Sequence, residues 1–118
     1  MIKLHIVLKG EENLDFITDG IKKNNKITYK ENNILVNVSI FKNKIIMNRK
    51  CNEYEIELLL EDKKKTISTY SVFGGTKKFD LETKTKKLVI IDDRIDVEYN
   101  LEDNDFKFTL EVIKWKKY

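Results

Sequence analysis

The chain has 118 residues, of which 41% are hydrophobic and 36% charged, and its formal net charge is +3. This length suffices for one domain with one core and is too short for two. No apolar run approaches the roughly 20 residues of a membrane-spanning helix. We therefore expect a single domain over residues 1–118, without a membrane segment.

The cysteine and histidine content limits the disulfides and metal sites that the chain can form. The single cysteine, Cys51, cannot form an internal disulfide, and the single histidine, His5, is too little for a thiolate–imidazole metal cluster. Both features suit a reducing compartment. The first residues alternate between apolar and polar types and do not form the apolar stretch of a signal peptide. These observations predict a cytoplasmic protein.

The first half of the chain alternates apolar and polar residues with a period of two, the pattern of strands with one buried face. Polar pairs that tolerate turn geometry interrupt this alternation, among them Asn24-Asn25 and Asn32-Asn33. The strands predicted in this half cover residues 2–9, 14–23, 27–31, 34–40 and 45–50.

Gly20 is the position in this half where the pattern is ambiguous. Asp19-Gly20 is a strong hairpin signal, but a turn there would leave only a very short strand before Asn24. In addition, the apolar phase moves by one residue, because Ile21 is the next apolar residue after Gly20. We therefore expect a β-bulge at Gly20 and the true turn at Asn24-Asn25.

The second half continues the alternation and contains its clearest example. Residues 94–101 and 106–112 are two alternating segments joined by a short acidic loop, which predicts an antiparallel hairpin. Residues 54–60 contain good helix formers, but their period of two favours a strand. Further strands are expected at residues 64–72, 79–85 and 88–91. About ten short strands without a convincing helix close most economically into a single antiparallel up-and-down β-barrel.

Six short segments follow one another in a characteristic order along nearly the whole chain. They are Asp19-Gly20, Tyr29-Lys30-Glu31, Met47-Asn48-Arg49, Tyr70 ahead of Phe73-Gly74, Leu81-Glu82-Thr83-Lys84-Thr85, and Ile95-Asp96-Val97-Glu98-Tyr99-Asn100-Leu101. In this order they resemble the YwiB-like family, small bacterial proteins of unassigned function with a calycin-like, lipocalin-related β-barrel. The resemblance implies the barrel fold and no particular activity.

Arg49 is the first candidate for a functional residue. Its strand phase places it on the apolar side with Ile45 and Met47, and a buried guanidinium needs a partner because an uncompensated charge is costly. One interpretation is that Arg49 lies in the lumen and binds the carboxylate or phosphate of a ligand, to which its planar fork is suited. The other is that it reaches water at the strand end or pairs with a structural acid.

Several residues with hydroxyl groups share the inward phase. A lumen that mixes such groups with aliphatic side chains resembles a small-molecule pocket. Alternatively, the hydroxyls bond to one another or to water inside a filled barrel, since small barrels are often filled by their own side chains. Together with Arg49, the predicted ligand-binding residues are Tyr29, Tyr70, Thr83, Thr85 and Tyr99.

The charged clusters support other functions less well. Glu53, Glu55 and Glu57 alternate away from the apolar face, as a solvated stripe does. Lysines such as Lys77 and Lys84 could form a basic surface, but the aromatic residues needed to stack bases mostly follow the inward phase. These features disfavour nucleic acid as a partner without excluding it, and we expect no metal and no cofactor. No motif supports an enzyme.

The sequence thus predicts a non-catalytic, cytoplasmic barrel that holds a small amphipathic or anionic molecule in its lumen. The alternative is a structural or interaction protein whose lysine-rich outer face binds RNA or a protein. A cavity of a few hundred Å3 that reaches solvent near Arg49 would favour the first function. A filled lumen with one contiguous lysine-rich face would favour the second.

Overall fold

The computed structural model describes residues 1–115, and this part of the chain forms ten antiparallel β-strands. Each strand pairs with its neighbours in sequence, and β1 also pairs with β10, so the sheet closes into the predicted up-and-down barrel. A 3-10 turn at Phe73–Gly75 lies between β7 and β8. The strands are β1 (Ile2–Lys9), β2 (Leu14–Lys23), β3 (Lys26–Glu31), β4 (Ile34–Ile40), β5 (Lys44–Lys50), β6 (Tyr54–Glu61), β7 (Lys65–Val72), β8 (Lys77–Ile91), β9 (Arg94–Leu101) and β10 (Asn104–Trp115).

Side chains of the inward phase fill the middle of the barrel. In β4, for example, Val36 and Val38 are fully buried, whereas Asn37 between them is not. Burying an aliphatic side chain of this size contributes about 1.5–3 kcal/mol to stability, as an upper estimate. The same alternation on the other strands produces one continuous core, whose most deeply buried members include Leu4, Ile45, Leu60, Val97 and Phe108. Residues 1–115 contain no helix long and apolar enough to span a membrane.

Polar residues with positive φ form the tight turns where the sequence predicted them. Asn24 (φ 58°) and Asn32 (φ 54°) lie in the β2–β3 and β3–β4 turns, and Asp92 (φ 41°) lies in the β8–β9 turn. Asparagine and aspartate adopt this conformation more readily than other residues with a Cβ atom, because their side chains can hydrogen-bond to the local backbone. Asn24 and Asn32 are therefore turn residues, as expected.

The bulge predicted at Gly20 is wrong. Strand β2 continues through this residue, which pairs directly with Ile2 on one side and Tyr29 on the other. The apolar phase does not change there: Gly20 occupies a buried, inward position, and Ile21 is an exposed outward residue. Glycine is required for space, because a Cβ atom at this position would lie 2.5 Å from Leu4 Cδ1 and 3.0 Å from the Thr28 carbonyl oxygen.

The true irregularities lie in other strands. Strand β8 runs unbroken from Lys77 to Ile91, where the sequence suggested two strands. Its pairing with β9 shifts by one residue between Thr85 and Lys87, so that Lys86 is an extra residue. This β-bulge explains why buried positions occur at Thr85 and then at Leu88, three residues later.

The backbone ladder between β6 and β7 is short, and side-chain hydrogen bonds replace backbone hydrogen bonds beyond its end. Backbone pairing covers only residues 54–57 of β6 and 69–72 of β7. Beyond it, the Leu59 N–H donates to Ser68 Oγ at 3.1 Å, and the Thr66 hydroxyl donates to the Leu59 carbonyl. The two hydroxyl groups thus satisfy the backbone of Leu59, which would otherwise lack partners at this point of the wall.

Candidate functional site

One end of the barrel, here called the Arg49 mouth, carries the β1–β2, β3–β4, β5–β6, β7–β8 and β9–β10 connections. Up-and-down topology places alternate connections at the same end, so residues near the ends of β3, β5, β7 and β9 meet there. Arg49 lies close to the end of β5, on the inner face of the wall. The mouth therefore brings residues that are far apart in sequence to one opening.

Arg49 is paired with an acid inside the mouth. Its Nη1 donates to Glu31 Oε1 at 3.1 Å and its Nη2 to Glu31 Oε2 at 2.5 Å, a bidentate arrangement. The two side chains are only 14% and 8% exposed. Of the two interpretations of Arg49, the structure shows the pairing with a structural acid, and the charge of the guanidinium is compensated within the protein.

Electrostatics at the mouth follow from this pair and from burial. Burial works against the charged form of Arg49, but hydrogen bonds to Glu31 and its negative charge outweigh this effect and raise the pKa of the guanidinium. Burial is also the main reason that the pKa of Tyr29 is raised, and it raises the pKa of Tyr99 to about 12. At neutral pH the mouth therefore holds one neutralised ion pair and protonated tyrosines.

A recess of about 140 Å3 lies beside Arg49. Its polar groups come from Arg49 and Tyr99, and apolar side chains form the remaining wall. The volume is smaller than the few hundred Å3 expected for a complete ligand pocket, because the core fills the rest of the lumen. The apolar lining consists of Leu8, Met47, Ile56, Leu58, Leu101 and Phe106.

Two buried hydroxyl groups near the mouth have no hydrogen-bond partner among the described residues, those of Tyr29 and Thr85. Tyr29 is 2% exposed and feels the charges of Arg49 and Glu31. Thr85 is the cross-strand partner of Tyr99. Leaving a buried hydroxyl unpaired costs free energy, so both groups are available for further hydrogen bonds at little cost.

The other two predicted residues take different positions. The Thr83 hydroxyl bonds to Ser68 Oγ at 2.7 Å and donates to the Leu81 carbonyl at 3.0 Å, so it is occupied within the wall of the barrel. Tyr70 lies at the rim of the mouth, where its ring contacts those of Tyr54 and Phe79. Thr83 is thus structural, and Tyr70 belongs to an aromatic surface.

Sequence reasoning missed three residues of the mouth: Glu31, Phe79 and Phe106. Glu31 follows Ile27 and Tyr29 at intervals of two, so its inward phase was a signal that a carboxylate would be buried with Arg49. Phe106 also follows the inward phase, and its ring stacks on Tyr99 at a centroid distance of 5.3 Å. Phe79 begins the strand predicted at residues 79–85 and shares the phase of buried Thr83, which was the available signal that it faces inward.

Within the part of the chain that the structure describes, the lysines do not form one contiguous basic face. Lys65 and Lys84 are direct cross-strand partners and line an outer groove of about 330 Å3, but Glu82 and Asp103 line the same groove. Other lysines are ion-paired with surface acids, in the pairs Lys3–Asp19, Lys64–Glu61, Lys86–Asp105 and Lys107–Glu98.

Comparisons with known proteins agree with this fold. The model of the family described as "Domain of unknown function (DUF1934)" matches residues 2–113. Among solved structures, the chain is similar to the ywiB protein from Bacillus subtilis, with a TM-score of 0.66 and 20% sequence identity over 96% of this chain and 92% of that one. At this identity the likeness bears on the fold alone. A search of curated proteins gives no significant match.

Proposed function

The chain belongs to the DUF1934 family, a domain of unknown function, and from its geometry we propose that it is a non-catalytic protein which binds one end of a small amphipathic molecule at the Arg49 mouth. The proposal includes the cytoplasm as the location, on the basis of the single cysteine, which cannot form an internal disulfide. The resemblance to the YwiB-like family implies no activity, so it does not conflict with a non-catalytic role.

The recess beside Arg49 is the observation that carries the proposal. It combines an apolar wall with a small number of polar groups at an opening to solvent, which is the usual composition of a ligand site. The unpartnered hydroxyl of Tyr29, which feels the charge of Arg49, and that of Thr85, the cross-strand partner of Tyr99, belong to residues behind the lining of the recess. A volume of about 140 Å3 accommodates one end of a ligand, so the rest would lie in the open mouth.

The ion pair between Arg49 and Glu31 bears on the charge of the ligand. Glu31 uses two of the guanidinium donors of Arg49 and cancels its charge. An anionic ligand would either compete with a bidentate carboxylate or add a second negative charge to the mouth. An uncharged head group that accepts from the remaining guanidinium N–H groups or bonds to the tyrosine hydroxyls meets neither obstacle. We therefore favour an amphipathic, uncharged ligand over an anionic one.

The polar groups of the recess are poorly suited to acid–base catalysis. A general base works best with a pKa near the working pH, whereas the pKa of Tyr99 is raised to about 12 by burial. Arg49 stays protonated beside Glu31. These groups can donate and orient hydrogen bonds, which supports binding as the role of the mouth.

An NMR titration with 2-decalol, a saturated bicyclic alcohol, tests the proposal. We expect shifts at the amides of the recess, including Leu8, Arg49 and Leu101. Replacing Leu101 by tryptophan fills the recess and should abolish these shifts. Ile90→Trp is the matched control, because Ile90 lines a separate recess of about 240 Å3 at the opposite end. Unchanged binding to the Leu101→Trp variant, or no shift at the mouth of the wild type, would refute the proposal.

The alternative function, an interaction of the lysine-rich outer face with RNA or a protein, has support in the opposed pair Lys65 and Lys84, since like charges directly across a ladder are unfavourable unless something compensates them. The two acids in the same groove supply part of that compensation. A short single-stranded RNA that binds with a steep salt dependence, lost in the Lys65→Ala/Lys84→Ala variant, would favour this alternative.

A further inference from the structure

A row of cross-strand partners crosses the inner wall and ends at the mouth. Tyr29 pairs with Val36, Val36 with Arg49, Arg49 with Ile56, Ile56 with Tyr70, and Tyr70 with Phe79. In a barrel the strands are tilted and staggered, so such a row rises along the axis. Burial follows this rise, from Val36, which is fully buried, to Phe79, which is 49% exposed.

The upper end of this row is an aromatic surface that faces inward but lies open. Phe79 is on the same face of β8 as buried Thr83, and Tyr70 is on the same face of β7 as buried Ser68. The rings of Tyr54, Tyr70 and Phe79 form a strip, with centroid distances of 5.9 Å and 6.2 Å between successive rings. We call these three residues the aromatic strip.

The strip adjoins the recess through Ile56. This residue lines the recess and is the cross-strand partner of both Arg49 and Tyr70. Two strand spacings, roughly 10 Å, therefore separate the backbone at the polar end of the recess from that at the strip. A planar molecule of two or three fused rings would reach from the recess to the exposed rings of the strip. An aliphatic end group, by contrast, would fill only the recess.

We propose that the aromatic strip stacks on a flat aromatic ring of the ligand, so that the ligand class is a planar fused-ring molecule with an uncharged polar group directed towards Arg49 and Tyr99. This inference rests on the proposed function and specifies its ligand. Aromatic pairs in offset or tilted geometry are more favourable than their buried area alone provides. Flat rings therefore gain more from Phe79 and its neighbours than saturated rings of the same size.

The test compares 2-naphthol with 2-decalol, its saturated counterpart, by NMR titration of the full chain. We expect 2-naphthol to bind about 3- to 10-fold more tightly than 2-decalol, the range expected for one aromatic pair. Phe79→Leu should remove this preference and leave the affinity for 2-decalol within about 2-fold, whereas Phe79→Trp should retain it. Phe79 is half-exposed, so these variants are expected to fold.

Phe41→Leu is the control, because Phe41 is 42% exposed and lies in the β4–β5 connection at the opposite end of the barrel. It should change the affinity for neither probe. Equal binding of both probes, or a preference for 2-naphthol that survives Phe79→Leu, would overturn the role of the strip while leaving the recess intact. Failure of 2-decalol to reach the recess would instead contradict the proposed function itself.

Discussion

Arg49 on β5 and Glu31 on β3 form a bidentate ion pair across the intervening strand β4, with N–O distances of 3.1 Å and 2.5 Å. On β4, the ladder partner of Arg49 is Val36, which is fully buried, and the ladder partner of Glu31 is Ile34, which is partly buried. The pair therefore sits at the boundary between the filled core and the open mouth. It gives the mouth polar groups without a net charge.

Replacing one member of the Arg49–Glu31 pair should destabilise the protein more than replacing both members. Arg49→Met leaves the carboxylate of Glu31 buried without compensation, and we expect a loss of about 3 kcal/mol in the free energy of unfolding. The double variant Glu31→Leu/Arg49→Met should lose much less, since apolar residues can replace a buried pair. Urea unfolding of four proteins, the wild type, Glu31→Leu, Arg49→Met and the double variant, measures the coupling, and additive losses would contradict it. Arg94→Met is the control, because Arg94 pairs with Asp96 in exposed positions and should matter little.

Ser68 should matter for the wall of the barrel more than an ordinary serine does. Ser68→Ala leaves the Leu59 N–H without its acceptor and removes a bond to Thr83 Oγ1, so we expect a loss of about 1–3 kcal/mol. The Leu59 amide should also exchange with solvent faster than in the wild type. Ser71→Ala, on the same strand, is the matched control, and equal effects of the two substitutions would show that Ser68 does not bridge the strands.

Gly20→Ala should destabilise the protein by about 1–3 kcal/mol through overpacking, because the new methyl group meets Leu4 Cδ1 and the Thr28 carbonyl. Shortening Leu4 to alanine is itself destabilising, but it removes one of the two contacts. We therefore expect the double variant Leu4→Ala/Gly20→Ala to be more stable than the sum of the single effects predicts. Urea unfolding gives this coupling directly, and strict additivity would argue against the close approach.

Stability should fall at alkaline pH through the buried tyrosines. Burial raises the pKa of Tyr99 to about 12 and also raises that of Tyr29, whereas both titrate near 10 when unfolded. Their contribution is therefore complete below pH 10 and is lost as the pH rises towards 12, at up to about 1.4 kcal/mol per pH unit for each residue. Urea unfolding at pH 9, 10 and 11 measures the slope.

The Tyr29→Phe/Tyr99→Phe variant should show a shallower decline over the same range. At neutral pH, Tyr29→Phe alone should cost little stability, because the Tyr29 hydroxyl has no partner among the described residues. A decline that is as steep in the double variant as in the wild type would assign the pH dependence to other groups.

Side-chain alternation was sufficient to predict the barrel, because it reports which face of each strand is buried. It also located the turns at Asn24 and Asn32, where residues that tolerate positive φ interrupt the pattern. At Gly20 the same reasoning failed, because a glycine has no side chain to show its phase. The missing side chain was interpreted as a kink, although it makes room for Leu4.

The site was harder to predict, because alternation gives neither the height of a residue along the barrel axis nor its neighbours across the lumen. The inward phase of Arg49 was recognised, but its partner Glu31 lies two strands away and depends on the register of β3, β4 and β5. Phe79 has the same inward phase as Thr83, but it lies nearer the mouth on the same strand, where it is exposed whereas Thr83 is buried.

The most direct test of the binding role is native mass spectrometry of the protein purified from the cells that produce it. We expect the wild type and Ile90→Trp to carry an additional small-molecule mass, and Leu101→Trp, in which the recess beside Arg49 is filled, to lack it. A bound mass that persists in Leu101→Trp but disappears in Ile90→Trp would contradict the account, because the ligand would then occupy the opposite end of the barrel.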